Sequence, residues 1–493
     1  MKMKNKYIIV FTLFLGAFLL NSCNGILDQK PVSELTAANA YETQSDLDAG
    51  LQGIYNRLLY ALGEGSTGFY STSLSSDANP PRISSYGDFR AGTLYWRGNG
   101  TNYIEVFGSG DANSLAKGTV ATTNSLANWQ AFYVPANMIN TMLEISDKIA
   151  FSSQDSKDIF QGELYYLRAL CYFNLLRNWG KVPIIKFAYT STNQDFFPKQ
   201  SEMTEVATFI AEDLAKAGTL LVKAPFSRVR ATPGAVNALK AHLYAWKGRV
   251  LGGGNADLQI AADAAATVIS NTSYQLLANY SDIFWKGYQS NESVFELYTK
   301  AGSLTSNMYT WAKDPVTTLR PRGNLEFCPS DKAYFAANAT ADKRVAVIKK
   351  DPRPADLVQE PYVSKFLGST GAATNSNEAD NVILFRLADL ILLRAECLNE
   401  LGQTTAAIPL LNQIRTRAGL PNTTAVSKAE VSEAIFTERH FELFAEGSLW
   451  YDLVRFGKAL TVPEINSVDE IYLPVLQYEM DHNPNLVQNP FYK

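Results

Sequence analysis

The sequence predicts a mainly α-helical protein with long irregular loops and a few short strands. Two observations carry this. Toward both ends of the chain, apolar residues recur every three or four positions, the spacing of one helix face. Between them, 61–123 and 286–380 are rich in Gly, Ser, Thr and Asn with scattered aromatics, and the latter contains Gly368-Ser-Thr-Gly-Ala-Ala-Thr-Asn-Ser-Asn377. Segments of that length in a compact protein are functional or disordered, and their aromatic content argues against simple disorder.

The elements follow in order. Lys2, Lys4 and Lys6 precede an uncharged run over 7–20. That run is shorter than the roughly 20 residues a membrane span needs, and suits the apolar core of a signal peptide. Leu20-Asn21-Ser22-Cys23 follows at once. A cysteine in that place reads as a lipobox, so 1–22 is expected to be a signal peptide and Cys23 the acylated mature N-terminus. Residues 23–40 would then be a tether. More than one acyl chain is what stable anchoring requires.

Leu47, Leu51, Ile54 and Leu58 share a helix face. Leu164, Leu167, Cys171 and Leu175 line another over 162–179, which Gly180 ends. Further helices are predicted over 203–221, 233–250 and 258–269. Thr232 stands as N-cap, with Pro233 in the first turn. A strand is plausible at 293–298. Helices resume over 387–401, 406–418 and 428–445. The 387–418 pair, joined by a short glycine-containing turn, has the form of a tetratricopeptide-like hairpin. Residues 41–285 and 286–493 are read as two regions of one globular unit.

Composition narrows the function. The chain has 493 residues, 46% hydrophobic and 19% charged, with a net charge of −4. No long basic run is present, so nucleic acid is a poor partner. Of four cysteines, Cys171 and Cys397 lie in apolar helical patterns and read as buried thiols, while Cys328 falls in loop or strand. No Cys-x-x-Cys pair suggests a zinc or redox site. His242, His440 and His482 are too far apart for metal-ligand spacing, and His242 reads as a satisfied core residue. No nucleophile elbow or phosphate loop occurs, and Gly252-Gly-Gly254 reads as a turn. Neither cofactor nor metal is expected. Glu438, Glu442 and Glu446 stand at helical spacing. A glycosidase needs two carboxylates facing each other across a cleft. One helix face does not provide that, so these read as structural, with Arg439, His440 and Arg455 as ion-pair partners. Glu163 with Arg168, and Arg394 with Glu396, are read in the same way.

Gly162-Glu-Leu-Tyr-Tyr-Leu-Arg-Ala-Leu-Cys-Tyr-Phe-Asn-Leu-Leu-Arg-Asn-Trp-Gly-Lys-Val-Pro183 resembles the hallmark helix of the SusD/RagB family. Phe385-Arg-Leu-Ala-Asp-Leu-Ile-Leu-Leu-Arg-Ala-Glu-Cys-Leu-Asn399, Leu411-Asn-Gln-Ile-Arg-Thr-Arg-Ala-Gly419, the stretch from Glu438 to Gly457 and the ending Asn483-Pro-Asn-Leu-Val-Gln-Asn-Pro-Phe-Tyr492 resemble its further signatures in order. The resemblance implies a scaffold of four tetratricopeptide-like helix pairs whose irregular segments form the ligand face. It implies a lipoprotein on the outer membrane that lids a TonB-dependent transporter of the SusC type. Most such proteins bind oligosaccharides, some serve peptides or glycoproteins, and they are not enzymes. The alternatives are a surface-anchored hydrolase and an adaptor that only seals a transporter.

Sugars stack their C–H faces on aromatic rings and exchange hydrogen bonds with planar polar side chains. A glycan site therefore needs exposed aromatics beside Arg, Asn or Asp on poorly helical segments. The stretch 77–102 offers Asp77, Asn79, Arg82, Tyr86, Tyr95, Trp96, Arg97 and Asn99. The resemblance singles out Trp96, Asn99 three residues on and Arg82 upstream. It adds aromatics from mid-chain, where Trp285, Tyr288 and Trp311 are candidates. The competing reading of these rings is core filler, strongest for Trp285 behind Asp282-Ile-Phe.

Overall fold

The structure, a computed structural model, describes residues 41–63, 82–96, 125–189, 193–285, 289–299, 325–349, 362–366, 381–462 and 465–493. The expected signal peptide, the expected lipidation site Cys23 and the expected tether lie outside them.

The first helix, α1 (Gln44–Gly63), buries Leu47, Leu51, Ile54 and Leu58 as their spacing requires. It packs on α2 (Gln130–Ser146). The sequence reading passed over α2, although Phe132, Ala136, Ile139 and Met142 line its buried side. Pro135 in its second turn interrupts the pattern a reader looks for.

The hallmark helix, α3, runs Gln154–Trp179 and so starts two turns before the expected boundary. Its added turns are polar and are opened by Ser153, whose hydroxyl accepts from Ser156 N at 3.1 Å. Gly180, at φ +71°, closes it by donating to Leu176 O at 3.0 Å. From Tyr166 to Leu176 every residue of the helix is buried. It lies between α2 and α4 (Met203–Leu220). Next come α5 (Pro233–Val250), capped by Thr232 as expected, and α6 (Gly254–Ile269). Gly252 at φ +77° and Gly254 at φ +63° make the turn between them.

Strand β1 (Leu94–Trp96) is followed by β2 (Ser293–Leu297), close to the expected position, and by β3 (Leu325–Phe327). Then come α7 (Pro329–Ala337), β4 (Ile348–Lys349), β5 (Tyr362–Val363) and β6 (Val382–Arg386). The pairs are β1–β3, β2–β6 and β4–β5, all antiparallel. Helices α8 (Leu387–Glu400), α9 (Thr404–Ala418), α10 (Lys428–Glu442), α11 (Leu449–Arg455) and α12 (Gln477–His482) complete the chain.

Four pairs, α1/α2, α3/α4, α5/α6 and α8/α9, stack in sequence: α2 touches α3, α4 touches α5 and α6 touches α8. This is the tetratricopeptide-like arrangement in which each hairpin covers its neighbour's apolar face. One connected set of buried apolar side chains runs from Leu47 to Leu486. Cys171 and Cys397 are free, buried thiols within it. Cys328 is also free and buried, as the residue that opens α7.

Candidate ligand-binding site

The segment that carries Arg82, Tyr86, Tyr95 and Trp96 is anchored to the helical scaffold at its base. Arg82–Ser84 form a helical turn and Ser85–Phe89 a wider π turn. Arg82 is 2% exposed and its Nη1 donates to Ala61 O at 3.4 Å, at the end of α1. Tyr86 is wholly buried. Its hydroxyl donates to Leu126 O at 2.8 Å, and its ring meets Trp179 edge-on at 6.0 Å. The Arg90 guanidinium lies 4.3 Å over the Trp450 ring, and Nη2 donates to Glu470 O at 2.8 Å.

This corrects two expectations. Arg82 and Tyr86 do not present themselves to solvent. The helical turn directs Arg82 inward against α1, and the π turn directs Tyr86 inward against α3, so they hold the base of the segment. Tyr86 in particular is core filler.

Beyond that base the chain enters β1, whose register sets Leu94 opposite Phe327, Tyr95 opposite Glu326 and Trp96 opposite Leu325. Cys328 N extends the ladder by donating to Thr93 O at 3.0 Å. The two irregular segments thus meet: 82–96 is hydrogen-bonded to 325–328. β3 in turn touches β5. Just after β5, Ser364 O accepts from Trp285 Nε1 at 2.7 Å. Trp285 is partly buried against Tyr280, Ile283 and Val347, so its ring belongs in part to the core. Asp77, Asn99, Tyr288, Trp311 and the side chains of Tyr95 and Trp96 lie outside the described residues.

A buried ionic network supports this face. Arg386 Nη1 donates to Glu442 Oε1 at 2.6 Å and to Glu292 Oε1 at 2.8 Å, and Nε donates to Glu446 Oε2 at 2.7 Å. Arg417 joins Glu292 and Glu442, while Arg344 joins Glu438 at 2.7 Å and Asp342. Against the cost of its burial, Arg417, Arg386 and Arg344 hold the Glu442 carboxyl well below the usual carboxylate range. The three glutamates of the fourth signature are structural, but their partners differ from those expected. Glu438 takes Arg344 and Arg415, Glu442 takes Arg386 and Arg417, and Glu446 takes Arg386 and Lys365. The expected partners serve elsewhere. Arg439 bridges Asp389 and Asp452, Arg455 takes Glu396 and Asp452, and His440 takes Asp331. Glu446 also lies off the helix, because α10 ends at Glu442 and the backbone turns left-handed at Ala445, φ +62°.

Glu163, Arg168 and Glu396 are interior as well, but each takes a partner other than the expected one. Glu163 accepts from Arg230 and Tyr55, and Arg168 makes a two-pronged pair with Asp213. His242 is satisfied by Asp389 at 2.7 Å. Among the described residues, no group of three or more His, Cys, Asp or Glu is placed to hold a metal ion.

A short two-stranded platform bears Tyr95 and Trp96 on a helical base, and the buried glutamates Glu438, Glu442 and Glu446 are engaged by guanidinium and ammonium groups. Residues 259–467 match the model of the SusD family, and residues 85–245 match a model described as starch-binding, associating with the outer membrane. The chain belongs to the SusD/RagB family. It is 26% identical to SusD-like protein P38 of Formosa agariphila over 535 residues, 98% of each chain. It is 24% identical over 416 residues to the starch-binding protein SusD of Bacteroides thetaiotaomicron, covering 68% of this chain and 73% of that one. A solved laminarin-binding SusD-like protein superimposes with a TM-score of 0.75 at 22% identity, over 91% of this chain and all (100%) of that one. That last likeness is one of fold. The break between the two SusD models, 245 to 259, falls at the α5–α6 turn.

Proposed function

We propose that this chain is a glycan-binding lipoprotein of the outer-membrane surface that delivers its ligand to a TonB-dependent transporter of the SusC type. The observation that carries the binding half is the β1–β3 pair. It joins the segment bearing Tyr95 and Trp96 to the second irregular segment on a rigid helical body. Two relatives are named for binding starch and laminarin, which supports glycan as the ligand class. Pairing of the buried glutamates to arginine and lysine supports binding without catalysis. None of the helices in the described residues is long and apolar enough to cross a membrane.

The test is a glycan array probed with the body lacking residues 1–23. Binding to at least one glycan, with no release of reducing ends, is the expected result. A folded body that binds none, or that hydrolyses one, overturns the reading. On the glycan identified, Trp96→Ala is expected to weaken binding by about 1–3 kcal/mol, by analogy with ring stacking on bases. Calorimetry reads this directly, and unchanged affinity with an intact circular dichroism spectrum moves the site elsewhere. Asp77, Asn99, Tyr288, Trp311 and Trp285 are proposed as further contacts.

The anchor is tested separately. Cys23→Ala is expected to leave the protein unprocessed or to release it from membranes. A processed variant that still fractionates with the outer membrane would remove Cys23 as the lipid site. Pull-down of tagged protein at native expression in mild detergent is expected to bring a large TonB-dependent transporter, and recovery of the lipoprotein alone counts against delivery.

A further inference from the structure

β1 is three residues long and pairs with one strand of equal length. An isolated two-stranded ladder is at best marginally stable in water. Something else must fix the backbone of residues 94–96, and the structure shows a buried acid, Asp88, at the base of the strand. Asp88 is 1% exposed. Its Oδ2 accepts from Gly447 N at 2.8 Å. Its own carbonyl accepts from Thr93 N at 3.2 Å and from Thr93 Oγ1 at 3.0 Å. Thr93 O then accepts from Cys328 N at the foot of β3.

On the far side, Gly447 follows Glu446, which Lys365 and Arg386 hold at 2.7 Å each. The contact is backbone on backbone, since a Cβ added at Gly87 would lie 2.2 Å from the Gly447 carbonyl. Gly447 itself sits at φ +78°, a conformation that favours glycine. A continuous line of bonds thus runs from the ionic network through Glu446, Gly447, Asp88 and Thr93 to the platform.

We propose that Asp88 is a positioning residue: it clamps the base of β1 to the Gly447 turn and thereby sets the pose of residues 94–96. What that pose serves rests on the glycan-binding reading, but the clamp is testable without any ligand. Burial pushes the Asp88 carboxyl up to about 8. The groups facing it are Lys365, Glu446, Asp331 and Tyr451. Asp88 therefore works near neutral pH as an uncharged acceptor, a role an asparagine oxygen can fill.

The experiment is amide hydrogen exchange on the mature protein at pH 7, comparing wild type with Asp88→Ala and Asp88→Asn. In Asp88→Ala, exchange in peptides covering 93–96 and 325–328 is expected to rise by about tenfold or more, with α5 unchanged, as local opening predicts. Asp88→Asn is expected to match wild type. If Asp88→Ala does not fold, Thr93→Val, which removes only the hydroxyl tie, is expected to raise exchange in the same two peptides and nowhere else. Wild-type protection of those peptides in Asp88→Ala, or in Thr93→Val where that variant stands in, overturns the proposal. So does a uniform rise across the molecule, the mark of a residue that only stabilises the fold, or an Asp88→Asn that behaves like Asp88→Ala. Because no glycan is present, none of these results depends on whether the chain binds one.

Discussion

Arg386→Ala is expected to destabilise the fold by about 3–5 kcal/mol, the cost of breaking a buried charge network by removing one partner. Arg386 is 1% exposed and bonds to Glu292, Glu442 and Glu446, each of them largely or wholly buried. Removing it leaves Glu292 and Glu442 with Arg417, and Glu446 with Lys365. The surplus negative charge then sits where water cannot reach it. Arg386 also closes β6, opposite Ser293 of β2, so the damage falls on that ladder as well. Lys181→Ala provides the contrast. Its pair with Glu202 is as short, 2.8 Å, but both side chains are more than half exposed (54% and 63%). Exposed pairs contribute only about 0–1 kcal/mol. Urea unfolding measures both, through the midpoint at constant slope. A loss below about 1 kcal/mol for Arg386→Ala would mean that the network is not a structural keystone.

Trp179→Ala should cost a similar amount, about 3–5 kcal/mol, as large-to-small changes of buried aromatics do. The ring stands 6.0 Å from Tyr86, 6.1 Å from Phe132 and 6.4 Å from Trp129. Nε1 donates to Pro474 O at 3.1 Å, and next to it Leu473 N donates to Asn178 O at 2.7 Å. One side chain therefore supports the base of the ligand segment and pins the C-terminal strap to the hallmark helix. Trp179→Phe keeps most of the ring contact and loses the hydrogen bond, so its cost should be nearer about 1 kcal/mol. Equal losses in the two variants would show that ring volume is not what matters there. The same urea experiment distinguishes them.

The helices were legible because their signals are local. Thr232 and Pro233 start a helix wherever they stand before an apolar repeat, and Gly180 ends one because a left-handed residue is needed there. The buried half of α3 was visible in Leu164, Leu167, Cys171 and Leu175. The structural role of Glu438 and Glu442 was visible in their spacing on one helix. The family signatures were likewise stretches of contiguous sequence.

Partners were not legible. Arg386 and Glu442 meet across 56 positions, and Glu292 and Arg417 across 125. The nearest basic residues in sequence, Arg439 and Arg455, point to Asp389, Asp452 and Glu396 instead. The same limit governs the candidate site. A tyrosine in a stretch rich in Gly and Ser reads as exposed, yet Tyr86 is buried by Trp179, which lies far along the chain. Trp285 proves half core because Ser364 and Val347 come to it. By itself the sequence determined most of the long helices, the caps at Thr232 and Gly180 and the family, since each depends on interactions within a turn or two; α2 and the first turns of α3 escaped it. Only the tertiary structure decided which side chains are covered, which charges pair and that 94–96 lies against 325–327. Those outcomes depend on what distant segments bring to the same place, and residue spacing along the chain carries no record of that.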